Sequence, residues 1–368
     1  MTAPLRIGVL GAGTIAERGH LPGLLAQPDV IVEAICDLDL QRAQAVAERH
    51  GVARAFADAD ALLALELDAV TCCTPNVTHA PLAISALESG KHVLLEKPPA
   101  VDAAALREMA DAAETADRLL MPLFNHRFRE EIVLARELVA RGSLGRPYYA
   151  RTTLLDRRGS TPGWITDRRT AGGGALIDLG IHHLDSMLHV LGYPAAQSVS
   201  GATYSRIGSY SVRYRADEKW TVADERGRDL EPGWAGDVEE AAFALVRFED
   251  GLTLTLETAW TMNIPGARAW ESAVYGDDAG LRIDPPPVVV AAQDGDRLVD
   301  TSYDVQPVPV YPDTHARAIR HFVDCIRGED VPLSTPAQAI QLMEIIDGIY
   351  SSAETGREVT LDARAVAR

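Results

Sequence analysis

The sequence predicts two domains of different class: an α/β domain with a parallel, doubly wound sheet, then an α+β domain with a mostly antiparallel sheet. Three observations predict this. Up to Phe124 the chain alternates short apolar or β-branched runs with Ala-rich stretches of helical period, the pattern of strands joined by crossover helices. After Phe124 that rhythm stops and hairpin-like pairs appear. A chain of 368 residues also exceeds what one core ordinarily organises. The expected boundaries are 1–124 and 125–368, with the closing helix able to pack back on the first domain.

In order, the first domain offers strands at Leu5–Leu10, Val30–Cys36, Ala69–Thr74, His92–Glu96 and Leu119–Phe124. Helical periodicity fills Asp39–His50, Thr78–Ser89 and Ala103–Thr115. Several strands are wholly apolar, as expected when helices cover both faces of a sheet. Pro122 in the last run favours an edge strand or a strand end, because proline donates no ladder hydrogen bond. In the second domain a helix at Glu130–Arg141 precedes a strand at Tyr148–Leu155, and Gly172–Gly174 opens another helix. Phe243–Phe248 and Leu252–Ala259 read as a hairpin with Asp250-Gly251 at its tip. The polar stretch Ser205–Gly236 reads as an excursion, and Arg317–Arg327 and Pro336–Thr355 read as helices.

Composition excludes several classes. A net charge of −18 with no basic cluster repels phosphate backbones and anionic membranes, so neither nucleic acid nor membrane is an expected partner. No apolar run approaches the ~20 residues of a membrane span. The start, Met1-Thr2-Ala3-Pro4-Leu5-Arg6, leads straight into a strand without a charged-then-apolar leader, which predicts a cytoplasmic protein. Cys36, Cys72, Cys73 and Cys325 lack C-x-x-C spacing, so neither a disulfide nor a structural zinc is expected.

Gly11-Ala12-Gly13-Thr14-Ile15-Ala16 is a G-x-G-x-x-A fingerprint. It follows a predicted strand and opens a predicted helix, the context in which it signals a Rossmann dinucleotide site. Gly11 makes the tight turn, Gly13 admits the pyrophosphate, and Ala16 allows close helix–strand packing. The helix N-terminus supplies free N–H groups for the anion. Asp37 ends the second strand where a carboxylate binds the adenosine ribose hydroxyls, and Asp39 is the expected N-cap of the next helix. Both carboxylates repel a 2′-phosphate, and no Arg or Lys intervenes before Arg42, so NAD is expected over NADP.

Two segments carry chemistry. His92–Glu96 is an apolar strand ending in Glu96-Lys97-Pro98-Pro99, and ligands of open α/β sheets bind at the carboxyl ends of strands. Lys97 there is placed to stabilise an alkoxide, although a lone lysine after a strand is commonly a solvated one. The second is Gly172-Gly173-Gly174-Ala175-Leu176-Ile177-Asp178-Leu179-Gly180-Ile181-His182-His183-Leu184-Asp185. Asp178 and His182 stand i to i+4, on one helix face. Alcohol oxidation needs a base with a pKa near neutrality, which histidine has unperturbed. Two plainer readings remain: an ordinary amphipathic helix, or metal ligation by Asp178, His182 and Asp185. No further ligands present themselves, so no metal is expected.

In these residues taken together, the chain resembles the glucose–fructose oxidoreductase / inositol dehydrogenase / rhizopine-catabolism (Gfo/Idh/MocA) family. The resemblance runs nearly end to end: the glycine fingerprint, Thr74-Pro75-Asn76 with His79, Glu96-Lys97-Pro98, Gly172–Asp185, Phe248–Trp260 and Arg320–Thr360. It implies Lys97, Asp178 and His182 as the catalytic residues, with His182 the acid/base and Lys97 touching both nicotinamide ribose and substrate. It implies that Gly11, Gly13, Thr14, Ile15, Asp37, Thr74, Asn76, His79, Glu96 and Lys97 serve the cofactor, with His79 alternatively structural. Asn125, Arg127, Trp164, His183 and His315 are implied near the substrate, or else as packing residues. A large open sheet in the second domain and a homo-oligomer, dimer or tetramer, are implied as well. Where many relatives place Arg after the tryptophan, this chain has Ile165, so that residue's role does not transfer.

The expected activity is hydride transfer between NAD and a secondary hydroxyl of a sugar, sugar derivative or cyclitol. Two other readings stand beside it: NAD-dependent glycoside hydrolysis by transient oxidation and elimination, marked by retained NAD without net reduction, and a non-catalytic dinucleotide sensor.

Overall fold

The computed structural model describes residues 3–157, 163–207, 236–306 and 308–362, so most of the Ser205–Gly236 excursion lies outside the described residues. The chain forms two compact units, Met1–Arg129 with Val308–Ile340, and Glu130–Pro307 with Gln341–Arg368. A single cut after residue 124 therefore does not describe the division, because residues 308–340 return to the first unit. The cause is the apolar face of the helix His315–Ile326. Its Ala318, Ile319 and Phe322 join the core of Ile7, Val9, Leu21 and Leu24. Gly23 lets Ile319 close in, since a Cβ there would stand 2.6 Å from the Ile319 Cδ1.

The first unit is built on β1 (Leu5–Leu10), β2 (Val30–Cys36), β3 (Ala55–Phe56), β4 (Ala69–Cys72), β5 (His92–Glu96) and β6 (Leu120–Leu123). Among the described residues these form one sheet in the order β3-β2-β1-β4-β5-β6, every pair parallel. The order reverses between β1 and β4, where doubly wound sheets open a ligand crevice. Val93, Leu94 and Leu95 of β5 are fully buried, as a strand covered on both faces requires. Pro122 pairs with Leu95 on β6, which is an edge strand. The strand expected over Ala69–Thr74 stops at Cys72, and Asp39 caps the helix Leu40–His50 by accepting from Gln41 N and Arg42 N.

The second unit holds β7 (Pro147–Asp156), β8 (Ala196–Tyr204), β9 (Ala241–Phe248), β10 (Thr253–Ala259), β11 (Arg268–Gly276), β12 (Ala279–Asp284), β13 (Val288–Asp294), β14 (Arg297–Tyr303) and β15 (Val359–Thr360). Among the described residues they form one open sheet, β14-β13-β12-β11-β7-β10-β9-β8-β15. All pairs are antiparallel except β7–β10. The β9–β10 hairpin turns at Gly251, whose φ of 86° is a left-handed conformation natural to glycine. Burial alternates along β7: Ala150, Thr152 and Leu154 are buried, while Tyr149, Arg151 and Thr153 are only half-buried. Helix Ile181–Leu191 packs on the buried face.

Candidate active site

The glycine turn follows β1 directly. Gly11 has φ 95°, and a Cβ on it would lie 2.5 Å from the Cys73 carbonyl oxygen, so the turn requires glycine. Nothing lies within 4 Å of a Cβ on Gly13, which leaves open space at the turn for a phosphate. The helical chain after it starts with a π-helical turn, Ala16–His20, and continues as Leu21–Leu25. Ala16 is buried and Ile15 packs on the core, so from these two positions the backbone rather than the side chain faces the turn. Asp37 is held by two backbone donors: Oδ2 accepts from Ala12 N (3.0 Å) and Oδ1 from Asp39 N (2.9 Å). The Arg42 guanidinium comes within 3.9 Å of Asp37, a nearby cation whose placement the spacing did not reveal. These residues fit a dinucleotide: a glycine cradle, a helix start and a fixed carboxylate at the end of β2.

Beyond β4 and β5, His79 ties two loops together. Its Nδ1 lies 2.9 Å from the Pro98 carbonyl and its Nε2 2.8 Å from the Thr74 carbonyl. Both ring nitrogens are thus engaged with backbone, which is the structural alternative for this residue. Burial lowers its pKa, against opposing effects of the Pro98 carbonyl and Glu96. Thr74 receives the Thr78 hydroxyl at 2.8 Å, and Asn76 is buried at the start of the next helical turn.

Glu96 is expected along the cofactor path, and His315 near the substrate or else in packing. The structure buries both together with His20. Glu96 Oε1 lies 3.0 Å from His20 Nε2 and 3.0 Å from His315 Nε2, and Oε2 accepts from Lys97 N at 2.8 Å. Burial alone would raise the Glu96 carboxyl, but hydrogen bonds from His20 and His315 hold it well below the carboxylate range. Burial lowers the pKa of His20. The three side chains form the one His/Cys/Asp/Glu cluster among the described residues with metal-ligand spacing. Both Nδ1 atoms lack a hydrogen-bond partner, whereas metal-bound histidines ordinarily donate that second N–H, so the cluster reads as a hydrogen-bonded clamp. What it clamps is the strand end that carries half-buried Lys97.

Asn125 and Arg127, expected near the substrate or else in packing, both have partners within the protein. Asn125 donates to Thr314 Oγ1 at 3.1 Å. Arg127, 1% exposed, bonds the Leu333 carbonyl and Gln338 Oε1 and lies over the Phe124 ring. Their polar groups serve the interior of the first unit.

In the second unit, Asp178 lies in a π-helical turn, Leu176–Gly180, that runs into the helix Ile181–Leu191 bearing His182. The Trp260 indole donates to Asp178 Oδ2 at 3.0 Å. Asp178 and His182 are both half-buried, whereas His183, one position on, is buried. His183 Nδ1 lies 3.4 Å from the Thr152 hydroxyl and its ring meets Trp270 edge-on, so His183 faces the sheet. Trp164 is 45% exposed on a short 3₁₀ turn.

A parallel sheet with a glycine cradle at its switch point, a lysine at a strand end, and a second unit presenting an Asp–His helix on an open sheet define a nicotinamide-dinucleotide oxidoreductase of two-domain type. Comparison with known proteins agrees. Residues 5–124 match the "Oxidoreductase family, NAD-binding Rossmann fold" and residues 132–282 match the "GFO/IDH/MocA C-terminal domain". The chain is 33% identical to the D-glucoside 3-dehydrogenase of Escherichia coli (strain K12) over 363 residues, 98% of both chains. It is 29% identical to the myo-inositol 2-dehydrogenase of Thermotoga maritima over 280 residues, 76% of this chain and 72% of that one. Among solved structures, GenD2 from gentamicin A biosynthesis in complex with NAD aligns at TM-score 0.78 and 26% identity, over 98% of this chain and 97% of that chain. The chain belongs to the Gfo/Idh/MocA oxidoreductase family.

Several residues escaped sequence reading: His20, Thr314, Trp260, Glu239 and Tyr350. Each meets its partner across a long stretch of chain, 76 residues for His20 and Glu96, 82 for Trp260 and Asp178. The available signals were weak: a histidine in the first turns after the fingerprint, and an acidic pair before β9.

Proposed function

We propose that the protein is an NAD-dependent dehydrogenase that oxidises a secondary ring hydroxyl of a glucoside or closely related pyranoside. The observation that carries this is the 33% identity over 98% of both chains with a D-glucoside 3-dehydrogenase. Beside it, Lys97 stands at the end of β5, and the Asp178–His182 turn is in place at a helix start. The hydroxyl on C3 is the first position to test.

In this reading His182 accepts the hydroxyl proton and the Lys97 ammonium stabilises the developing alkoxide. Asp178, fixed by the Trp260 indole, orients the base. Bound NAD supplies the hydride acceptor. The proton goes to His182, and a bound NAD would take the hydride whose departure leaves a ketone on the sugar. Asp37 favours NAD because its carboxylate opposes a 2′-phosphate; Arg42 softens that opposition, so a residual NADP activity is expected. The four free cysteines accord with a reducing, cytoplasmic setting, and a dimer or tetramer formed through the open sheet of the second unit completes the proposal. No helix among the described residues is long and apolar enough to cross a membrane.

The test is incubation with NAD and a panel of glucosides, free sugars, cyclitols and aryl glycosides, following reduced nicotinamide and aryl release together. NADH formed with one pyranoside, and a 3-keto product by NMR, supports the proposal. Aryl release without net NADH would replace it with redox-assisted hydrolysis. Lys97→Ala is expected to abolish turnover while NAD binding stays within about tenfold, ~1.4 kcal/mol. Asp37→Ser with Leu38→Arg, at a position 94% exposed, is expected to turn preference toward NADP, and light scattering of the native protein reads the oligomer.

A further inference from the structure

We propose that Glu239, with Tyr350, is a positioning residue for catalysis: it fixes the helix start that carries Asp178 and His182 and sets the rate of the chemical step rather than the affinity for sugar or cofactor. The inference rests on the assignment of Asp178 and His182 as catalytic residues.

Glu239 is 4% exposed. Its Oε1 accepts from Gly174 N, Leu176 N and the Tyr350 hydroxyl, each at 2.9 Å, and its Oε2 also lies 2.9 Å from Gly174 N. Its backbone carbonyl accepts from Ala175 N at 3.0 Å. Three consecutive N–H groups at a helix start, which the helix itself leaves without acceptors, are thus all taken up by one residue some 65 positions away. A carboxylate at that end also meets the favourable end of the helix dipole.

The glycine run is explained by this contact. A Cβ on Gly174 would overlap the Glu239 carbonyl oxygen, and one on Gly173 would overlap the Tyr350 hydroxyl. These two glycines therefore admit Glu239 and Tyr350 rather than a ligand. A second tether comes from the next residue. The Glu240 carbonyl accepts from Trp260 N at 2.8 Å, and the Trp260 indole holds Asp178. Asp178 N in turn donates to the Gly174 carbonyl at 3.0 Å, so Asp178 is fixed at its backbone by Gly174 and at its carboxylate by Trp260, which the adjacent Glu239 and Glu240 hold in turn. A catalytic base must be held within a fraction of an ångström of its productive place, and packing-locked supports do this.

The experiment uses the full-length protein with NAD and the sugar that gives an NADH signal. Glu239→Gln keeps shape and can leave its carbonyl oxygen at the Oε1 position, but it then sets an amide N–H₂ against the Gly174 N–H at the Oε2 position. It is expected to lower kcat 10- to 100-fold, with KM for sugar and Kd for NAD within threefold. Tyr350→Phe removes one donor only and is expected to lower kcat about threefold, and it decides the matter if the Gln variant does not fold. The discriminating readout is non-additivity: on an Asp178→Asn background, Glu239→Gln is expected to cost less than twofold further. Unchanged kcat in both variants, losses carried by KM or Kd, or fully additive losses overturn the proposal. His182→Ala is run alongside. If it abolishes turnover while Glu239→Gln does not, the positioning role alone fails; if it retains turnover, the catalytic assignment fails and this inference with it.

Discussion

Glu96→Gln is expected to destabilise the first unit by about 1–3 kcal/mol, the range for leaving a buried hydrogen-bonding group unsatisfied. The carboxylate accepts two imidazole N–H groups and the Lys97 amide, all within 3.0 Å, and it is buried. An amide cannot reproduce this: one of its two ends donates, so a donor faces a donor in a site closed to water. At ~2–4 °C per kcal/mol for a unit of this size, the melting temperature falls by at least about 2 °C. The pH dependence has a defined sign. The Glu96 carboxyl is depressed in the folded state, so its contribution is present above the unfolded value near ~4.3 and is lost as pH falls. His20 is lowered by burial, so the unfolded ring takes a proton first, and stability falls as pH drops below ~6.5. Wild-type stability should therefore decline in two stages on acidification, and Glu96→Gln should lack the lower one. Among the described residues the tryptophans, Trp164, Trp260 and Trp270, all lie in the second unit, so hydrogen exchange on peptides spanning 92–100, with far-UV dichroism, is the suitable assay. A Gln variant melting within about 1 °C of wild type at pH 7, or one with an unaltered acid profile, would refute the clamp.

Asp29→Asn removes the acceptor of Arg320 (2.8 Å) and the partner of Arg327; the Arg320 hydrogen bond is what chiefly holds this carboxyl low. The group is partly exposed, so a loss of about 1 kcal/mol is expected from urea midpoints at pH 7, shrinking as pH falls below ~4. Ile319→Ala opens a cavity in the fully buried helix contact of the first unit and should cost about 2–5 kcal/mol in the same measurement; a loss under about 1 kcal/mol would mean the helix is not held by this face. Cys325, His321 and Asp330 form a line of thiol, imidazole and carboxylate, at 3.5 and 3.1 Å, that looks like an activated nucleophile. The same His321 Nε2 already accepts from Leu333 N, and burial with Asp330 and Asp324 pushes the thiol up to about 11. Peptide-resolved alkylation at pH 7.5 should run roughly 100-fold slower than for a free cysteine; rapid labelling would contradict the placement.

Local chemistry made much of the first unit legible. Five of its six strands could be read because each is a short apolar run bounded by turn residues; β3, with two residues, carries too little pattern to be seen. The helix Pro336–Thr355 was readable to the residue because proline at its start and the period within it are both local. The second sheet was harder. The β9–β10 hairpin announces itself through Asp250-Gly251, but β14 is exposed along nearly its whole length and offers no apolar alternation, and β15 pairs with β8 across more than half the unit.

For the site the division is between residues whose work is done by their neighbours in sequence and residues whose work is done by distant ones. Gly11, Asp39 and the Asp178–His182 spacing act through backbone geometry within a few positions, so residue type and spacing suffice. Glu96 and His315 show what spacing does not reveal: each looked like a ligand-facing polar residue because nothing nearby in sequence accounted for it. Yet their partners are each other, 219 positions apart, and His20. A polar residue unexplained by its own segment is therefore ambiguous between ligand contact and long-range support. Burial decides between them, since a closed site obliges every polar group to find its partner within the protein. By that criterion half-buried Lys97, Asp178 and His182 are the residues we propose for the chemistry, while buried Glu96, His315, Arg127 and Glu239 meet their partners within the protein.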